Sequence, residues 1–164
     1  MRWQMAACAL LLTVGNVTAA LAESPRDFVQ KMIERDNSEI MLGRLAENSA
    51  DSPAVRAFAH ALVTDHMRNK DRALALSHVL GFRPPEGPTG DALDERNDLM
   101  GRHGRDFDSE FVHYMIDKHN DEISDCRDEA DDDHGPAGQL AADALPALHA
   151  QLQNAHAIEK REDL

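Results

Sequence analysis

The sequence predicts an all-α protein, a four-helix bundle made of two duplicated helical hairpins with a short connecting helix. Three observations lead there. Apolar residues recur at helical spacing, no stretch alternates with the period of two that a strand needs, and one helical segment occurs twice.

Ser24-Pro25 is a helix N-cap followed by proline at the first helical position, where the missing N–H has no intrahelical partner to lose; Ser52-Pro53 repeats the device. The first helix is therefore expected from Pro25 to Ser49 and the second from Pro53 to Leu80, with Gly81 closing it. Arg83 to Gly90 (RPPEGPTG) is too rich in proline and glycine for helix or strand and reads as a loop. Asp91 to Gly101 predicts a short helix with weak apolar periodicity. The next helix is expected from Phe107 to Ala130. Asp131-Asp132-Asp133-His134 then leads through Gly135-Pro136 into a last helix ending near Lys160, with Asp133 placed to cap it.

The repeat is clearest between Phe28–Ile40 (FVQKMIERDNSEI) and Phe111–Ile123 (FVHYMIDKHNDEI), which keep Phe, Val, Met, Ile, Asn, Glu and Ile in place. The same offset pairs Leu62 with Leu145 and His66 with His149. Each hairpin alone is too thin to bury its apolar stripe, so two are expected to pack together.

Stepping about 100° per residue places ionisable groups inside these stripes. Asp36 falls at the centre of the first helix's stripe, with Glu39 inside its edge. His119 takes the matching centre in the second copy, with Glu122 and Cys126 beside it. His66 lies among Val55, Leu62 and Ala73, and His149 sits at a stripe margin. Burying such groups unpaired costs several kcal/mol each. Two arrangements supply partners. Asp36-x-x-Glu39 and His119-x-x-Glu122 each put two ligands on one helix face, as bundle metal sites do. Alternatively, histidines and carboxylates bond one another. Glu110-x-x-His113 projects to the opposite side and reads as surface. Met32, Met67 and Met115 read as core filler, although with His66, His119 and Cys126 they would offer soft donors suited to copper(I).

Arg2, the apolar run Met5 to Val14 and Ala20-Leu21-Ala22 have the order of an export leader cleaved after Ala22, giving residues 1–22 as signal peptide and 23–164 as one domain. The run is too short to span a bilayer, so no stable membrane insertion is expected. A bacterial periplasm is the expected destination. Removing the leader leaves Cys126 alone, which excludes an intramolecular disulfide. A formal net charge of −13 disfavours nucleic acid and anionic lipid, and favours cations.

These residues resemble a family, the bacterial exported ferritin-like domains of unknown function (domain of unknown function 4142), proteins of the outer membrane or periplasm. The resemblance rests on Glu39-Ile-Met-Leu-Gly43, on Val63-Thr-Asp65-His66 followed by Asn69, and on Phe107-Asp108. It continues in Tyr114-Met115 before His119, and in Leu145-Pro146. It implies a ferritin-like bundle in the cell envelope, possible outer-membrane association, and no established reaction. The family's shared polar set falls here on Glu39, Asp65, His66 and His119. The chain departs from the pattern where the family carries a histidine and this sequence has Gln151.

Three functions compete. The first is a periplasmic bundle holding a metal ion (iron, copper or zinc) through Glu39, His66 and His119, with Asp36 and Glu122 as further candidates. The second is a non-catalytic envelope stress or interaction protein whose buried polar cluster fixes the pairing of similar hairpins. The third, a di-metal oxidase or peroxidase, lacks inward Glu-x-x-His pairs. No nucleophile triad, phosphate loop or cysteine-pair zinc signature is visible, and the sequence favours a non-enzymatic reading.

Overall fold

The computed structural model describes residues 23–164; the expected leader lies outside the described residues. Five helices follow one another: α1 Pro25–Ser49, α2 Pro53–Val79, α3 Gly90–Met100, α4 Arg105–Asp132 and α5 Pro136–Glu162. Among the described residues there is no strand, and no helix is long and apolar enough to cross a membrane.

The helix ends follow from local chemistry. The side chains of Ser24, Ser52 and Thr89 each accept a backbone N–H in the first turn of α1, α2 and α3. Gly81 (φ 71°) closes α2 in the left-handed region, and Gly104 (φ 56°) turns the chain into α4. That corner lets α4 start at Arg105, ahead of the expected Phe107, and α4 runs through Asp131 and Asp132 before it stops. Asp133 then caps α5 as expected, accepting from the N–H groups of Gly135 (2.8 Å) and Gly138 (3.2 Å).

α1 packs chiefly on α2 and α4 on α5, making the two expected hairpins; α2 against α5 is the main contact between them. At Gly43 the first pair comes closest. A Cβ there would stand 2.7 Å from Val63 Cγ2 and 3.3 Å from the Ala59 carbonyl oxygen. The proline-rich loop is pinned to α1: Asn37 Nδ2 donates to the Gly87 carbonyl (3.0 Å) and the Thr89 N–H to Ser38 Oγ (3.0 Å).

The core is divided. One apolar cluster gathers Leu42, Phe58, Leu62, Phe107, Phe111 and Met115; the other gathers Phe28, Met32, Ile33, Ile123, Leu140 and Leu148. Between them along every long helix lies a polar stretch: Asp36 to Glu39 on α1, His66 on α2, His119 and Glu122 on α4, Gln151 on α5. The division explains why the apolar stripes of the sequence are interrupted at their centres.

The repeat holds for α1 and α4, where Phe28/Phe111, Val29/Val112, Met32/Met115, Asp36/His119 and Glu39/Glu122 are all buried. It does not hold for α2 and α5. Leu62 and His66 are buried, but their partners by offset, Leu145 and His149, are only half-buried. Ala144 and Leu148, one residue earlier, are buried instead. Sequence identity is sparse in these helices, so packing rather than the repeat chooses the buried face.

Asp108, only 3% exposed, accepts from the N–H groups of Asp51 (3.0 Å) and Ser52 (2.7 Å) and so ties α4 to the α1–α2 turn. Asp108→Ala is expected to lower unfolding free energy by roughly 1–3 kcal/mol, the cost of stranding these donors. Chemical denaturation would check it, and an unchanged midpoint would show that water replaces the carboxylate freely.

Candidate functional site

Glu39 on α1, His66 on α2 and His119 on α4 meet in the polar layer, exposed by 3%, 4% and 1%. Each offers one ligand atom, and these atoms lie within 4.8 Å of one another. His66 Nε2 stands 2.9 Å from Glu39 Oε2, and His119 Nε2 stands 3.8 Å from the same oxygen. Neither His66 Nε2 nor a Glu39 oxygen makes an aligned hydrogen bond with the groups around it. The two imidazoles meet edge to face, with centroids 6.0 Å apart.

Around these three stand residues that orient them. Asp36 Oδ1 accepts from His66 Nδ1 (2.9 Å), and both Asp36 oxygens accept from Asn69 Nδ2 (3.2 and 3.0 Å). Asp36 therefore faces the back of His66 and is not one of the three converging groups. His119 Nδ1 donates to the Met115 carbonyl (2.8 Å), and its Nε2 lies 3.0 Å from Gln151 Oε1. Gln151 Nε2 in turn donates to Asp65 Oδ2 (3.3 Å). The opposite orientation of the Gln151 amide would put its oxygen against the Asp65 carboxylate.

Electrostatics complete the arrangement. Burial alone would raise the Glu39 carboxyl, but His66 first and His119 next outweigh it and hold it down at about 2. Burial would lower His66, yet Glu39 and Asp36 raise it well above the usual histidine range. Burial outweighs the His66 and Asn69 bonds at Asp36 and pushes that carboxyl up. The shared proton still belongs on His66, because Asp36 accepts from Asn69 as well. Burial, with Glu39 beside it, lifts Glu122 well above its ordinary value, so Glu122 is a neutral acid that can donate to Glu39.

The three converging groups were all legible as inward-facing candidates. Glu122 is buried beside them but lies outside the converging set. His149 is not a member either; its Nε2 lies 3.0 Å from Arg127 Nη2 near the surface. Gln151, read as a departure from a pattern, is the residue that holds His119. Its signal was its place where a histidine was expected. The soft-donor set does not assemble, since Met67 is 46% exposed, and burial lifts the Cys126 thiol to about 12. Glu110 and His113 are surface residues paired with Arg102 (2.9 Å) and Glu159 (3.2 Å).

The structure is thus that of a helical-bundle protein with a buried histidine–carboxylate cluster. The chain matches a family model described as Domain of unknown function (DUF4142) over residues 13–158, and it belongs to that family. No curated protein and no solved structure matches it.

Glu122 makes a pH dependence that can be checked. Its folded-state pKa is raised, so its stabilising contribution is full below the unfolded value of about 4.5 and is lost as pH rises through the folded value. Glu122→Gln copies the neutral acid without taking up a proton on folding. The variant should match the parent near pH 4 and become the more stable of the two toward pH 8. The gap should grow by up to about 1.4 kcal/mol per pH unit within that window. Melting curves that run parallel from pH 4 to 8 would refute the neutral acid.

Proposed function

We propose that this chain is a ferritin-like four-helix bundle, exported to the periplasm, that binds one divalent transition-metal ion through Glu39, His66 and His119. The observation that carries the reading is the convergence of three buried ligand atoms within 4.8 Å on three different helices. Ligands about 2.0–2.2 Å from an ion are separated by roughly 3–4 Å, so small rotamer changes would close the set. Two imidazoles and a carboxylate suit zinc, iron or copper in the divalent state. Asp36 behind His66 is the kind of carboxylate partner that orients metal-bound histidines.

A divalent ion would give the buried carboxylates a counter-charge, and the histidines would bind it as neutral imidazoles. To reach the ion, His119 must release Gln151 Oε1. The export leader and the envelope location rest on the sequence of residues 1–22, and any association with the outer membrane rests on the family resemblance.

A second reading has its own observation. Both histidines have partners within the protein, His66 on Asp36 and His119 beside Gln151, as in a structural polar layer. That layer would fix the pairing of two similar hairpins in an envelope protein without metal.

One experiment separates the two. Metal-free protein titrated with zinc, iron(II) or copper(II) should take up one ion and melt several degrees higher. Binding to the native state alone at a hundred times the dissociation constant stabilises by about 2.7 kcal/mol. His66→Ala and His119→Ala should each abolish that rise. No uptake, with the alanine variants equally destabilised in metal-free and metal-loaded buffer, would leave the structural layer standing.

A further inference from the structure

The next question, which rests on the metal-binding reading, is what completes the ion's coordination. Among the described residues, three histidine or carboxylate groups converge here. Asp36 is occupied by His66 and Asn69, Gln151 bridges His119 and Asp65, and among the described residues no cysteine joins the cluster. Structural zinc sites are closed by four protein ligands, whereas sites that act on exogenous molecules keep a position free. Two histidines and one carboxylate leave further positions free in a six-coordinate ion.

Two cavities border this cluster, each touching one of the three groups. The first, about 110 Å³, is lined by His66 and Gln151 with charged side chains that include Arg35, Arg72 and Asp65, and on its other side by Phe28, Met32, Ala144 and Leu148. The second, about 240 Å³, is bounded by Glu39 and Tyr114, and Glu122 borders both. One water needs about 10–15 Å³ of such space, so the first cavity holds several waters or a small molecule. The ligating side chains are at most 4% exposed, so a bulky substrate cannot touch the ion. A molecule of a few atoms fits the first cavity beside His66.

We propose that the ion held by Glu39, His66 and His119 keeps a coordination position open to the cavity under Phe28, Met32, Ala144 and Leu148. There it takes an exogenous ligand of two or three atoms, neutral or singly negative, of the azide and dioxygen class. Glu122, bordering the same space, stands where a coordinated oxygen or nitrogen would meet a hydrogen-bonding partner.

The test uses the purified protein loaded anaerobically with cobalt(II), whose visible absorption reports its coordination, and sodium azide as the probe. Azide should shift the cobalt bands saturably. Ala144→Leu, which fills the cavity without touching a ligand, should weaken the azide response at least tenfold while cobalt affinity by equilibrium dialysis stays within twofold. Ala147→Leu at the exposed rim of the same cavity serves if Ala144→Leu does not fold. Bound cobalt with bands indifferent to azide would overturn the open position. An azide response that survives the filled cavity would overturn the route. Failure of the protein to take up cobalt at all would remove the metal reading, and this inference with it.

Discussion

The polar layer through the middle of the bundle is the constraint on which the rest of the structure depends. Asp36, Glu39, His66, His119, Glu122 and Gln151 are all at least nine-tenths buried, and water cannot satisfy them. Desolvating ions costs several kcal/mol each unless partners are in place. The partners here come from four helices, so each helix must hold its rotation and axial position for the layer to close. The apolar clusters on either side tolerate repacking far better than the layer tolerates a shift. In that sense the layer sets the register, and the clusters supply the driving force.

The layer is also lopsided, and the lopsidedness has chemical consequences. The first hairpin contributes Asp36, Glu39 and His66, with His66 bonded to Asp36 and its other ring nitrogen 2.9 Å from Glu39. The second contributes His119, Glu122 and Gln151, in which an amide takes the place of an ionisable group. A duplicated hairpin with identical halves would carry two equivalent half-sites. Here substitution has left one compact set of converging donors, supported by Asp36 behind one histidine and Gln151 beside the other. The neutral Glu122 occupies the place that Glu39 holds in the first copy.

Much of this was legible in the chain. Serine–proline pairs, Gly81 and the proline-rich loop located the helix ends to within a few residues, because caps and turns are local chemistry. The match of Phe28–Ile40 with Phe111–Ile123 correctly aligned the buried faces of α1 and α4, since helical periodicity links spacing directly to direction. Glu39, His66 and His119 were all identifiable as inward-facing. The register of α5 was not. His149 looked like the partner of His66 by offset, yet Leu148 and Gln151 face inward, because near a stripe margin a small rotation decides burial. The role of Asp108 was equally hidden, as its two partners lie more than fifty residues away.

The sequence by itself determined that the chain is helical, where its helices begin and end, and which ionisable residues interrupt its apolar stripes. These depend on contacts within a few residues, which spacing encodes. Only the tertiary structure decided that Glu39, His66 and His119 converge while Asp36 and Glu122 stand aside, and that Gln151 rather than His149 completes the layer. Those outcomes depend on distances between helices and on the competition of buried groups for the same protons. No periodicity along a single chain carries that information.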